Sequence, residues 1–322
     1  MGRSILLAAA VLALAALLDA EALEETARQQ PLGWKRDVAV AVAGPVADVS
    51  RALGLTAPRR WLEDAFDRGS TETDLSPSVT VPPTVTVPPT SGVPTVPTTT
   101  TVPSRRAPTA QQPLRLLIVG DSMTESTGPA VLDLAAATGV VSAQHELRYS
   151  SGLTRPDYFD WPAHLEQLVA QQGPEVIIVM VGANDAQGIQ TPTGPAGFGT
   201  DAWVAEYRAR VAATMAMLEG DGRLVYWVGE PVMRSGDFDA RMQLITDIYR
   251  TEAARHPAHI RFVETRTLFA SDDGGYSAYL PDASGRPELV RRDDGIHLTA
   301  AGADRLAHRL FVAIDDEWDL DG

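Results

Sequence analysis

Apolar and polar positions follow two regimes along this chain, and the change falls close to residue 114. Downstream, short apolar runs at 114–119 (interrupted by Arg115), 176–181 and 224–228 alternate with longer stretches of helical periodicity. Weaker strand-like runs lie at 144–149 and 260–263. Apolar runs of this length predict strands buried on both faces. Helix-like stretches cover 129–137, 161–172, 201–219, 238–255 and 299–314, with Thr299 placed to cap the last. Alternation of strand and helix predicts an α/β fold with a parallel sheet covered on both faces. Segments 191–200 and 271–287, rich in Gly, Pro, Thr, Asp and Ser, read as excursions at strand ends.

Upstream, the pattern changes twice. After Met1-Gly2-Arg3, residues 4–18 are uncharged and mostly Ala, Leu, Val and Ile. A run of about 15 apolar residues after a positive start fits a signal h-region or a signal anchor. Residues 1–22 are therefore expected to be a signal peptide or membrane anchor, with the N-terminus at the cytoplasmic membrane and the rest outside. Residues 23–69 mix apolar and charged positions around Pro31, Pro45 and Pro58, with short amphipathic helices expected at 38–49 and 59–66. They read as a membrane-proximal helical spacer. Residues 70–112 then run in a Thr/Val/Pro alphabet with a near-repeat at 79–90. Proline at that density blocks helix and sheet and predicts an extended, disordered linker. The expected organisation is completed by a catalytic domain at 113–315 and a solvated acidic tail at 316–322.

Composition narrows the functional classes. The 322 residues carry 27 basic and 42 acidic side chains, a formal charge of −15. A nucleic-acid partner needs a basic footprint and is excluded on that balance. Cysteine is absent, so thiolate metal sites and cysteine nucleophiles are excluded too. No phosphate loop, dinucleotide fingerprint or metal-ligand spacing follows any strand, and the sequence implies neither cofactor nor metal. Oligomeric state is not legible.

The chemistry lies where the apolar runs end. Gly120-Asp121-Ser122 closes the first run, and Gly182-Ala183-Asn184-Asp185 follows the run at 176–181. Asp294 stands three residues before His297, just ahead of the last helix, and no other histidine has an aspartate at that offset. A carboxylate three residues away can reach Nδ1 of an imidazole and leave Nε2 for a serine. Asn184 supplies carboxamide N–H groups for an oxyanion, and the N–H of Ser122 can serve the same end. Gly152 follows the second strand-like run and lets backbone approach a ligand closely. Taken singly, each has a bland alternative: a helix cap for Ser122, a turn asparagine for Asn184, a loop glycine for Gly152 and a surface turn for Asp294.

Together these residues resemble the SGNH, or GDSL-type, hydrolase superfamily, over about residues 114–314. Gly120-Asp121-Ser122 matches its first block and implies Ser122 as nucleophile. Gly152 matches the second, whose N–H joins the oxyanion hole. Gly182, Asn184 and Asp185 match the third, and Asp294 with His297 the last. The resemblance implies a three-layer, flavodoxin-like αβα sandwich of about five parallel strands. It extends to a poorly characterised, envelope-associated branch through residues 150–162. Arg155, Tyr158, Trp161 and Asp185 are candidate substrate-pocket residues, although Trp161 serves equally as a core anchor.

The implied activity is that of an extracytoplasmic serine esterase or deacylase on short acyl esters of envelope glycans or small polar carriers. An acyltransferase with the same triad and a non-catalytic glycan-binding module are the alternatives.

Overall fold

The computed structural model describes residues 17–29, 34–53, 105–220 and 222–320. The apolar run at 4–18 lies outside them except for its last two positions, as do the expected helix at 59–66 and most of the 70–112 linker. The chain divides into two compact units, Met1–Arg28 with Trp34–Val102, and Gln29–Gly33 with Pro103–Gly322.

In the first unit, α1 (Ala20–Gln29) and α2 (Trp34–Ala52) are described. Pro45 lies inside α2 instead of ending it. Arg51 of α2 pairs with Glu24 of α1 at 2.9 Å, and Ser50 Oγ donates to the carbonyl of Leu17. Among the described residues, no helix is long and apolar enough to cross a membrane.

The second unit is built on a five-stranded sheet. In chain order it contains β1 (Leu114–Gly120), α3 (Thr124–Thr138), β2 (Val141–Leu147), α4 (Trp161–Gln172) and β3 (Val176–Met180). A hairpin follows, β4 (Ile189–Thr191) and β5 (Gly194–Ala196), then α5 (Asp201–Leu218), β6 (Leu224–Val228), α6 (Gly236–Ala253) and β7 (Ile260–Val263). The last elements are α7 (Arg266–Phe269), a second hairpin β8 (Tyr279–Pro281) and β9 (Pro287–Leu289), and α8 (Ala300–Trp318). The sheet order is β2-β1-β3-β6-β7, and every pairing in it is parallel. Strands β3 and β6 are buried at every position, as continuous apolar sequence requires. Helix α3 packs on α8, and α5 packs on α4 and α6, which gives the expected three-layer sandwich.

Local sequence sets the ends of the helices. Asp160, Thr200 and Thr299 accept from the Ala163, Trp203 and Gly302 amides and so cap α4, α5 and α8. Three boundaries differ from expectation. Helix α3 begins at Thr124, five residues before the expected start, and carries Pro129 within it. Strand β2 starts three residues before its apolar signal, because it is an edge strand with polar, partly exposed positions. The expected acidic tail at 316–322 begins inside α8, which runs to Trp318. Glu317 pairs with Arg105 at 3.0 Å and with Arg261 at 2.7 Å, and Trp318 and Leu320 are buried.

This strand order places the topological switch between β1 and β3. Neighbouring crossovers leave there in opposite directions and open a crevice at the carboxyl ends of the strands. Ser122 follows β1 and Asn184 follows β3, so both stand at that crevice.

Candidate active site

Ser122 lies in the tight turn between β1 and α3. His297 Nε2 is 2.8 Å from Ser122 Oγ, and His297 Nδ1 is 2.7 Å from Asp294 Oδ2. The second Asp294 oxygen accepts from the Ile296 and His297 amides at 2.7 and 2.9 Å, which folds the loop into a turn around the carboxylate. Burial pushes the Asp294 carboxyl up, but these three hydrogen bonds more than offset it and hold the group at about 2. Asp294 is therefore ionised wherever the protein is folded near neutrality and keeps Nδ1 as a donor.

Two arginines, the buried Arg291 and the exposed Arg234, secure this loop. Arg291 donates to the carbonyls of Val232 and Ile296, at 2.5 and 2.6 Å. Arg234 Nη1 donates to the Asp293 carbonyl at 2.5 Å, and the Arg234 amide donates to the Gly295 carbonyl. The segment after β6 thus holds the histidine loop from beneath. Neither arginine stands out in the sequence, because nothing in a lone Arg marks it as a partner of a distant loop.

The nucleophile turn is tied to the turn after β3 through Asp121. This fully buried carboxylate accepts from the Met123 amide at 2.9 Å, the Gly182 amide at 3.3 Å and Asn184 Nδ2 at 3.1 Å. Asn184 Nδ2 also donates to the Ser151 carbonyl at 3.0 Å. Both carboxamide hydrogens are therefore engaged, and Asn184 ties three loops together instead of presenting a free oxyanion donor. By contrast, among the described residues the backbone N–H groups of Ser122 and Gly152 meet no acceptor in the protein. Gly152 is buried, and its N–H is left without a protein partner there.

Asp185 is not a pocket residue. It is fully buried and accepts from Leu153 N, Thr154 N, Thr154 Oγ1 and Tyr207 OH, at 2.7–3.0 Å. It anchors the loop that carries Gly152. Arg155 is buried as well and pairs with Asp157 at 2.8 Å, and Trp161 is buried with its Nε1 on Ser151 Oγ at 2.9 Å. Tyr158 is half-buried, with its hydroxyl on the Tyr149 carbonyl at 3.2 Å. Of the four candidates, three are interior supports. Their nearness to Gly152 in sequence gave no information on which way they point.

A family model described as a protein of unknown function, DUF459, matches residues 115–313, more than half of the chain. The chain belongs to the DUF459 family. The DUF459 region begins inside β1 and ends inside α8, so it contains Ser122, Gly152, Asn184, Asp294 and His297. No curated protein sequence matches the chain. Among solved structures, it is similar to a lipase/acylhydrolase from Enterococcus faecalis, with 17% identity and a TM-score of 0.45 over 63% of this chain and 95% of that one. It is similar to a catalytic mutant of an acetylxylan esterase from Geobacillus stearothermophilus, with 17% identity and a TM-score of 0.44 over 63% and 95%. The C-terminal catalytic domain of peptidoglycan O-acetyltransferase A from Streptococcus pneumoniae gives 13% identity and a TM-score of 0.41 over 64% and 96%.

Beneath the DUF459 site lies one further carboxyl, Glu230. It is buried after β6, beside Gly182, and neither side-chain oxygen makes a well-formed hydrogen bond. Burial pushes it far above the usual carboxylate range, and neighbouring Asp121 adds to the effect. Among the described residues, no group of three or more His, Asp or Glu side chains is placed to hold a metal ion.

Proposed function

We propose that the DUF459 domain is a serine esterase or deacylase that works through an acyl-enzyme on Ser122. The observation that carries this reading is the continuous hydrogen-bond chain Asp294–His297–Ser122 at the sheet's switch point. In the first step His297 Nε2 takes the Ser122 proton as Oγ bonds to the acyl carbonyl carbon. The carbonyl oxygen becomes an oxyanion and accepts from the Ser122 and Gly152 amides. Asn184 joins them by turning one Nδ2 hydrogen from the Ser151 carbonyl to the oxyanion. The carbonyl re-forms, the C–O bond to the alcohol breaks, and His297 returns its proton to the leaving oxygen. Water, or a sugar hydroxyl, then attacks the acyl-enzyme with His297 again as base, and Ser122 is released.

The acyl group on this reading is short, most simply acetyl, and the carrier is a glycan or small polar alcohol. A long chain contributes ~0.8 kcal/mol per buried methylene and calls for a lining of aliphatic side chains. The crevice side chains named above are instead polar. A series of nitrophenyl esters from C2 to C12 tests this. Activity is expected to be greatest at C2–C4 and lost in Ser122→Ala, and a steady rise in kcat/KM beyond C6 contradicts the short-acyl reading.

The positive start, the apolar run at 4–18 and the Pro/Thr-rich 70–112 segment support a domain tethered outside the cytoplasmic membrane. A periplasmic-type reporter fused after Gly322 is expected to be active, and a reporter that works only in the cytoplasm contradicts this placement.

A further inference from the structure

We propose that Tyr149, with the Glu125–Arg292 pair, forms a sugar-ring platform on the rim of the Ser122 site. Tyr149 is 49% exposed. The other exposed large apolar side chains of this unit, among the described residues, lie on the β8–β9 hairpin and on α8. Tyr149 instead follows the carboxyl end of β2, beside the nucleophile turn. The Arg148 amide bonds to the Gly120 carbonyl at 2.9 Å and fixes the segment against the end of β1. Tyr158 OH holds the Tyr149 carbonyl from the other side. The next residue, Ser150, has φ of +58°, one of two non-glycine residues with positive φ among those described. Such a conformation costs ~1 kcal/mol or more and persists where the surroundings enforce it, commonly at ligand sites. It turns the chain from the exposed Tyr149 to the buried Ser151 within two residues.

The polar part of the rim is built across the mouth of the site. Glu125 lies in the first turn of α3, with its amide on the Ser122 carbonyl. Arg292 pairs with Glu125 at 3.0 Å and donates to Ser126 Oγ at 2.8 Å, while its own amide bonds to the His297 carbonyl. The pair therefore spans from the nucleophile side to the histidine side. Tyr149 lies in the field of both: burial raises its phenol, Glu125 adds to that, and Arg292 opposes it.

An aromatic face carries negative potential and attracts the C–H face of a pyranose ring, while the ring's hydroxyls need acceptors and donors at its edge. Tyr149 offers the face, Glu125 the acceptor and Arg292 the donor. A fatty chain has no use for the ion pair, and a polyphosphate is repelled by Glu125 and by the overall charge of −15. The occupant that suits all three groups is a neutral sugar of a glycan chain, held so that an O-acyl group reaches Ser122. The last clause rests on the esterase reading, whereas the sugar-binding claim stands apart from it.

The test is calorimetric titration of full-length Ser122→Ala protein with chitotetraose and with xylotetraose. At least one is expected to bind, and adding Tyr149→Ala is expected to weaken that binding about tenfold. Tyr149→Phe retains the ring and is expected to stay within about twofold, and Val312→Ala on α8, a control for surface substitution, to leave binding unchanged. Binding of neither tetrasaccharide, or binding that Tyr149→Ala leaves unchanged while thermal unfolding confirms the fold, overturns the proposal. Ser122-dependent hydrolysis of nitrophenyl acetate without Tyr149-dependent binding overturns the platform alone. Tyr149-dependent binding without any esterase activity sustains the platform and overturns the esterase reading.

Discussion

A Cβ on residue 152 would run into the carboxylate of Asp185. That contact explains why the loop after β2 carries glycine here: the backbone passes directly over a buried acid that holds its next two amides. Gly152→Ala is expected to push the 152–154 segment away from Asp185 and to misplace the free amide. The expected loss in kcat/KM is about 10²-fold, the scale of one oxyanion donor, with a lowered Tm. Activity within about twofold of wild type would mean that this amide does not face the reacting carbonyl.

Asn184 is expected to affect both rate and stability. Its two Nδ2 hydrogens bond Asp121 and the Ser151 carbonyl, so Asn184→Ala loosens the nucleophile turn as well as removing a donor. Turnover on a nitrophenyl ester should fall roughly 10²–10³-fold and Tm should fall too. A variant with wild-type turnover would remove Asn184 from the chemistry.

Asp294 makes a prediction in acid. Its folded pKa of about 2 lies below the ordinary carboxylate value of about 4. Its contribution to stability is therefore complete above pH ~4 and is lost as pH falls toward 2. Urea midpoints of wild type and Asp294→Asn, measured at pH 5 and at pH 2.5, should differ more at pH 5. A constant difference would show that the hydrogen bonds of Asp294 do not depend on its charge.

Glu230 predicts the opposite trend. A carboxyl raised far above its unfolded value keeps its proton in the fold, while the unfolded chain releases it above pH ~4.5. Stability should then decline from pH 5 to pH 8, and Glu230→Gln should flatten that decline. Equal slopes for the two proteins would mean that Glu230 is ionised in place, against the burial that surrounds it.

Much of the fold was legible because buried parallel strands leave apolar runs that need no context, as at β1, β3 and β6. Strand β2 was displaced by three residues because an edge strand mixes polar positions into its sequence. The hairpins β4–β5 and β8–β9 were hidden, since three-residue strands are too short to show a period. The site was legible where chemistry demands a residue type at a fixed spacing, as for Asp294 and His297. Direction was not legible. Asp185, Arg155 and Trp161 are buried and Tyr149 is exposed, and residue type alone does not say which. The pairing of Glu317 in the acidic segment is not legible because its arginine partners, Arg105 and Arg261, come from distant parts of the chain.

Covalent labelling of Ser122 tests the central claim most directly. The full-length protein is incubated with a fluorophosphonate and digested, and the modified peptide is located by mass spectrometry. One phosphonyl group on Ser122 is expected, absent in Ser122→Ala and strongly slowed in His297→Ala, which lacks the base 2.8 Å from Oγ. Labelling at another residue, or none at all in the folded protein, would contradict the account of Ser122 as an activated nucleophile.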